Sequence, residues 1–280
     1  MIPASFDYVR ATSVDEALAA LIASGDDAKV LAGGQSLLPL LRLRLAYPST
    51  LVDVGRVADL RGVRDDGDAL VIGAMTTHHD IMHDPLIREH CPVIAQATSL
   101  VADPAVRHRG TFGGALAHAD PAGDLPAVAL ALDATFVVAR AGGRRSVPAA
   151  EFFVDYLETA VGPDELLVEI RVPKLADGWR GHYEKFNRVA QAWAIVGVCA
   201  VVHTDGGSVS EARIGLTNMG PTPLRASSAE QALGGGDLDA AAELAAEGTN
   251  PAGDLNAQPD YRQHLARVLT RRALARALGS

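Results

Sequence analysis

The chain has 280 residues, 48% of them apolar and 21% charged, an ordinary balance for a globular protein with a buried core. No run reaches the roughly 18 uncharged apolar residues of a membrane-spanning helix, and the first residues lack the basic head and apolar body of a secretory signal. A formal net charge of −9 argues against a general nucleic-acid binder, and two cysteines, Cys91 and Cys199, fall short of the ligands an iron–sulfur cluster takes; they read as buried thiols in a reducing cytoplasm.

In chain order, Ser13 and Glu16 have the spacing of a capping box and open a helix over 13–25. Val14, Ala17, Leu18, Leu21 and Ile22 share one face of it, and Gly25 suits its left-handed stop. Residues 28–32 read as a short buried strand ending on Gly33-Gly34, followed by a short helix over 37–43 and a strand over 49–54. Residues 60–75 have the pattern of a β-hairpin turning at Asp66-Gly67, and 134–148 that of a second turning at Gly142-Gly143. Helices are predicted over 77–84 and 92–100, and a strand over 165–173.

Pro173 and the polar run 174–181 mark the domain boundary. Beyond it, 194–203 and 209–220 read as strands, the second alternating Ala212, Ile214 and Leu216 with Glu211, Arg213 and Gly215. Helices close the chain over 227–233, capped by Ser227 with Glu230, then 238–247 and 260–278; Gly234-Gly235-Gly236 is a turn. The fold class is α+β, because strict βαβ alternation fails in the middle.

Two glycine clusters carry the chemistry. "VLAGGQSLLP" (30–39) places Gly33-Gly34 after a strand, with Ser36 close by. "RGTFGGALAH" (109–118) places Gly110, Gly113 and Gly114 around Thr111. Glycines admit close backbone approach, and successive N–H groups form an anion-binding nest. One such pair reads as a tight turn; two, each with a hydroxyl residue, read as a clamp for the diphosphate of a nucleotide cofactor. In that reading Gly33 and Gly34 leave room for the diphosphate to reach backbone N–H groups. Neither a Walker loop nor the GxGxxG fingerprint is present.

Other groups are weaker candidates. His79 and His83 have the spacing of zinc ligands but no evident third ligand, and a solvated helix face is preferred. Arg107-His108-Arg109 either neutralises a phosphate or pairs with Asp103. Asp120 and Asp124 suit hydrogen bonding to sugar hydroxyls, or a plain turn. Lys185 is a surface ion-pair partner or a cation beside a cofactor. Arg262, Arg267, Arg271, Arg272 and Arg276 are scattered around the last helix, as on a solvated surface.

"AGGQSLLP" and "GTFGGALAHADPAGDLP", with "VIGAMTTH", "ELLVEIRVP", "YEKFNR" and "ARIGLTNMGPTPLRA", resemble the flavoprotein (medium) subunit of the molybdenum hydroxylases, the xanthine dehydrogenase family. The similarity is greatest to its aerobic carbon monoxide dehydrogenase branch. The resemblance implies an FAD-binding fold of the vanillyl-alcohol-oxidase (PCMH) type over 1–176, in subdomains of about 1–55 and 56–176, and a C-terminal flavoprotein domain over 177–280. It implies non-covalent FAD here, and partners: a small subunit with [2Fe–2S] clusters and a large subunit with a molybdenum–pterin site, assembled as an (αβγ)2 hetero-hexamer. Electrons would run from molybdenum through the clusters to FAD and then to an external acceptor. The complex is expected in the cytoplasm, where partners can hold it at the inner face of the membrane.

By the same resemblance, Ala32, Gly33, Gly34, Gln35 and Ser36, with Leu37 beside them, match the first diphosphate loop, and Gly110, Thr111, Gly113 and Gly114 the second. Asp124 matches a carboxylate that hydrogen-bonds the ribityl chain. Leu167 and Lys185 match positions near the isoalloxazine, and Val101, Ala102 and Val106 line the cofactor. Trp193 stands where the carbon monoxide enzymes are expected to carry Tyr, and its indole can still cover the ring. No catalytic residue and no metal ligand is expected on this chain. Carbon monoxide is the first substrate reading, with aldehydes, purines and aromatic heterocycles open. A self-contained flavin oxidase and a redox-silent nucleotide-binding module are the competing functions.

Overall fold

The computed structural model describes residues 2–234 and 236–279; Gly235, in the turn expected at 234–236, lies outside the described residues. The first unit comprises β1 (Asp7–Arg10), α1 (Val14–Ser24), β2 (Ala28–Leu31), α2 (Leu37–Leu43) and β3 (Thr50–Asp53). β3 lies between β1 and β2 in a parallel sheet. Ser13 Oγ accepts from the Glu16 N–H at 3.1 Å, and the Glu16 carboxylate reaches back to the Thr12 N–H at 2.8 Å. Gly25 ends α1 at φ 71°. Ala17, Leu18 and Leu21 are buried, whereas Ile22 is 52% exposed, so the buried stripe is narrower than the periodicity suggests.

The second unit is built on an antiparallel sheet of order β4-β5-β10-β6-β7. Its elements are β4 (Val63–Asp66), β5 (Ala69–Gly73), α3 (His78–His83), α4 (Pro85–His90), α5 (Pro92–Ser99), α6 (Pro104–Arg107), α7 (Phe112–His118), α8 (Asp124–Ala131), β6 (Thr135–Arg140), β7 (Gly143–Pro148), α9 (Ala149–Phe152), the small hairpin β8 (Phe153–Asp155) and β9 (Glu158–Thr159), and β10 (Leu166–Pro173). Phe136, Val138, Leu167 and Ile170 join the core under the helices, while Val137, Ala139, Leu166 and Val168 join the core shared with α1. Burial on both faces explains the apolar start of β10, Leu166-Leu167-Val168, while further along Glu169 and Arg171 alternate with buried Ile170 and Val172 on a half-buried face. Both hairpin turns sit one residue away from their expected places. Asp66 pairs with Ala69, leaving Gly67-Asp68 as the loop, and Arg140 pairs with Gly143, leaving Ala141-Gly142. Gly67 and Gly142 supply the positive φ that these loops need.

The third unit is an antiparallel sheet of β11 (Trp179–Phe186), β12 (Val196–Asp205), β13 (Ser208–Thr217) and β14 (Leu224–Arg225), followed by α10 (Ser227–Leu233), α11 (Leu238–Glu243) and α12 (Pro259–Leu278). Val198, Ala200, Ile214 and Leu216 pack with Leu265, Leu269 and Leu274 of α12. Tyr183, Cys199 and Val201 instead join the core of the second unit. A Cβ on Gly215 would lie 2.2 Å from the Ala127 carbonyl of α8, and one on Gly181 3.0 Å from Val93 of α5. These glycines let the third sheet dock directly onto two helices of the second unit.

Two expectations fail here. Ser227 does not cap α10: Ala226 holds that position, and the Glu230 carboxylate accepts from the Ile214 N–H at 2.6 Å and from Arg225. Arg262 is not solvated: it is 2% exposed, donates to the Ile195 carbonyl and pairs with Asp254 at 2.8 Å. Among the described residues, no helix is long and apolar enough to cross a membrane.

Candidate functional site

The three units meet around a cleft of about 780 Å³. The β2–α2 turn forms one wall, α6, α7 and the start of α8 another, and β11 with the loop after it a third. Every expected site residue except Gly113 and Leu167 lines it. Leu167 is 5% exposed and sits in the core under the helices. Gly113 donates its N–H to the Ala74 carbonyl at 2.9 Å, and a Cβ there would lie 2.5 Å from Ala74 Cβ. It serves close packing of α7 on the strand end and has no N–H to offer a ligand.

The first loop is the stronger donor. Among the described residues, the backbone N–H groups of Gly33, Gly34, Gln35, Ser36 and Leu37 meet no protein acceptor. These residues are half-buried or exposed and lead into the first turn of α2, where backbone N–H groups have no intrahelical partner, so the run is a concavity of donors open to an anion in the cleft. Gly34 is left-handed at φ 75°, which turns the chain into α2. Gly33 is required for another reason. A Cβ on it would lie 2.2 Å from the Arg109 carbonyl oxygen and 2.8 Å from Gly110 Cα, so the two glycine loops touch backbone to backbone.

The second loop gives less. Phe112 donates to the Thr76 carbonyl at 2.9 Å, and Gly114 donates to Thr111 Oγ1 at 3.1 Å as the cap of α7. Among the described residues, Thr111 keeps a free N–H, and its hydroxyl proton remains to be donated. The two loops of the expected clamp therefore contribute unequally, the first offering five free N–H groups and the second one among the described residues.

Arg107 neither pairs with Asp103 nor lines the cleft: it donates to the carbonyls of Val101 at 2.8 Å and Ala102 at 3.1 Å. Asp103 caps α6 instead. Ala102 holds φ 42°, a conformation costing of order 1–3 kcal/mol in a non-glycine residue, and Arg107 braces it against the cleft. His108 stacks on His79 at 3.9 Å, and His83 Nδ1 bonds the His79 carbonyl at 2.7 Å. Among the described residues, no group of His, Cys, Asp and Glu is placed to hold a metal ion. Asp120 makes a turn, accepting from the Ala122 N–H at 2.9 Å.

The opposite wall carries a buried ion pair. Lys185 Nζ donates to Asp124 Oδ2 at 2.8 Å and to the Leu100 carbonyl at 3.0 Å; the side chains of Asp124 and Lys185 are each 4% exposed. Burial pushes the Asp124 carboxyl above its ordinary range, against the pull of Lys185 and Tyr183. The Tyr183 hydroxyl donates to Asp124 Oδ1 at 2.8 Å and lies 3.3 Å from Thr217 Oγ1. Burial first, and then the Asp124 charge, raises the Tyr183 phenol well above its usual value. Sequence reading passed over Tyr183, although it lies two residues from Lys185 and so on the same strand face.

His78 was also missed. It lines the cleft at 3% exposure, with Nδ1 enclosed and unpartnered among the described residues. Burial, then the Arg107 charge, lowers its pKa to about 4. Trp193, in the loop after β11, stands at the cleft with 57% of its surface exposed.

Residues 4–175 match the model of the FAD-binding domain in molybdopterin dehydrogenase, and 181–277 that of the CO dehydrogenase flavoprotein C-terminal domain. The chain is 43% identical to the carbon monoxide dehydrogenase medium chain of Hydrogenophaga pseudoflava, over 98% of this chain and 97% of that one. It is 40% identical to subunit alpha of the 6-hydroxypseudooxynicotine dehydrogenase complex of Paenarthrobacter nicotinovorans, over 99% and 96%. It superposes on a chain of the solved carbon monoxide dehydrogenase of Hydrogenophaga pseudoflava with a TM-score of 0.97 at 45% identity, covering 100% and 99% of the two chains. The chain belongs to the FAD-binding family of the molybdopterin dehydrogenases.

Proposed function

We propose that this chain is the electron-transfer flavoprotein subunit of a molybdenum hydroxylase, holding FAD non-covalently in the cleft. The observation that carries this reading is the run of unpartnered N–H groups over Gly33–Leu37, which fits a diphosphate without any Lys or Arg in the loop. Thr111 supports the same group from the facing loop through its N–H and hydroxyl. Asp124, with both oxygens already engaged, keeps lone pairs for ribityl hydroxyls, and Lys185 keeps a donor toward the flavin. Val101, Ala102 and Val106 supply apolar lining, and Trp193 shields the mouth.

Bound FAD would exchange electrons singly with a [2Fe–2S] partner and pass them on singly or in pairs. The chain's own residues bind the cofactor, orient it and limit its solvent. The [2Fe–2S] clusters and the molybdenum–pterin site belong to the small and large subunits, in an (αβγ)2 assembly in the cytoplasm, with an external acceptor completing the path. An apolar surface near the first loop favours such partners: Leu43 is 58%, Leu45 68% and Tyr47 68% exposed. Carbon monoxide, oxidised on the large subunit, is the substrate favoured by the similarity to carbon monoxide dehydrogenases.

The test is to express the chain with its neighbouring open reading frames and purify it by a tag on this chain alone. Flavin released intact on denaturation, with companion chains carrying iron–sulfur and molybdenum, is the expected result. A chain that neither contains FAD nor takes it up on reconstitution would end the reading.

A further inference from the structure

Asp124 is the first residue of α8, a helix in which every residue is buried. Packing alone asks for an apolar side chain there, since replacing a buried ion pair by hydrophobic groups is often neutral or stabilising. Yet the third unit meets this carboxylate with a dedicated set of donors. Tyr183 and Lys185, two residues apart on β11, take one oxygen each: Oδ1 at 2.8 Å and Oδ2 at 2.8 Å. The neighbouring strand makes room for the phenol, because a Cβ on Gly197 would lie 2.2 Å from the Tyr183 hydroxyl oxygen. Thr217 on β13 lies 3.3 Å from the same oxygen.

We infer that Tyr183 is a positioning residue for the cofactor: its hydroxyl fixes the rotation of the Asp124 carboxylate, so that the unshared lone pairs present to the cleft. The inference rests on the FAD reading above and adds that the C-terminal domain aligns a binding group of the FAD-binding domain. A carboxylate held at one oxygen can swing about its Cβ–Cγ bond; held at both, it cannot. The groups facing Asp124 are Lys185 and Tyr183 from β11, with Leu100 O and Thr217 Oγ1 behind them.

The test uses the full chain, freed of flavin. Tyr183→Phe keeps the ring and removes only the donor. FAD affinity, followed by flavin fluorescence, is expected to fall roughly tenfold or more, the worth of a hydrogen bond to a charged group. The loss should grow as the pH falls from about 8 to about 6, because a carboxyl with one donor fewer takes up a proton more readily. In an Asp124→Asn background the same change should have little further effect. Carboxyl ¹³C NMR of the flavin-free chain, with Asp124 assigned by Asp124→Asn, should show Asp124 titrating at higher pH in Tyr183→Phe. Parent-like affinity in Tyr183→Phe, an equal loss in both backgrounds, or an unmoved titration would overturn the inference. A parent that takes up no FAD would overturn the FAD reading itself, while the flavin-free titration still reports whether Tyr183 acts on Asp124.

Discussion

The carbonyl oxygen of Arg109 lies 2.2 Å from where a Cβ on Gly33 would be. The glycine is therefore needed by the opposite loop whatever the ligand requires, and the two loops form one continuous backbone seam. Gly34 differs: its φ of 75° disfavours a side chain, but its nearest obstacle is the movable end of Leu38. Gly33→Ala should cost roughly 2–3 kcal/mol, as overpacking against fixed backbone does, and should weaken FAD uptake by parting the loops. Gly34→Ala should cost about 1 kcal/mol. Urea unfolding of the two variants checks the order; a larger loss in Gly34→Ala would contradict the seam.

Lys185→Met tests the ion pair. It strands a buried carboxylate, a change that costs about 3–5 kcal/mol when no charge answers it. Burial already raises the Asp124 pKa in the folded chain, and loss of Lys185 raises it further. A carboxyl with a raised folded pKa leaves stability intact at low pH and erodes it as pH rises through that value. The deficit of Lys185→Met relative to the parent should thus be small near pH 5 and full near pH 8, by denaturant titration. A deficit independent of pH would mean that Asp124 is not the group left unpaired.

Local signals were legible and distant ones were not. Ser13 with Glu16, and Gly34 turning the chain into α2, act within a few residues of themselves, so pattern and spacing place them, whereas the need for Gly33 comes from the distant Arg109 and Gly110. Arg262 reads as surface by residue type; only the Ile195 carbonyl, far away in sequence, and Asp254 in the loop before α12 show why it is buried. The same holds for Tyr183, whose partner Asp124 lies on another domain. β1 is exposed along its whole length and β11 is largely polar, so neither carries the apolar alternation that marks a strand. Gly113 shares a cluster with Gly110 and Gly114, but its own use is packing on Ala74, which no spacing rule reveals.

His78 gives a pH signature of its own. Its folded pKa of about 4 lies below the ordinary histidine value of 6.5, so the unfolded chain binds the proton first. Stability from this group is whole above about pH 6.5 and falls as the pH drops toward 4, by about 3 kcal/mol at most. His78→Phe removes the titration and should flatten that part of the stability profile relative to the parent. Urea midpoints taken at steps between about pH 4.5 and 7 check this; parallel profiles would show that His78 is not held neutral.

Thr111 separates capping from ligand binding. Its hydroxyl accepts the Gly114 N–H at 3.1 Å, and its backbone bridges Thr77. Thr111→Ser keeps the cap and the donor, so stability and FAD affinity should both stay near the parent. Thr111→Ala loses the cap, worth about 1 kcal/mol, and the one side-chain donor this loop offers the cleft. If the hydroxyl proton serves the diphosphate, FAD affinity in Thr111→Ala falls roughly tenfold at a temperature where the fold is intact. A stability loss with unchanged affinity would assign the hydroxyl to α7 alone. The diphosphate would then rest on the first loop and the Thr111 N–H, the only backbone donor this loop keeps free among the described residues.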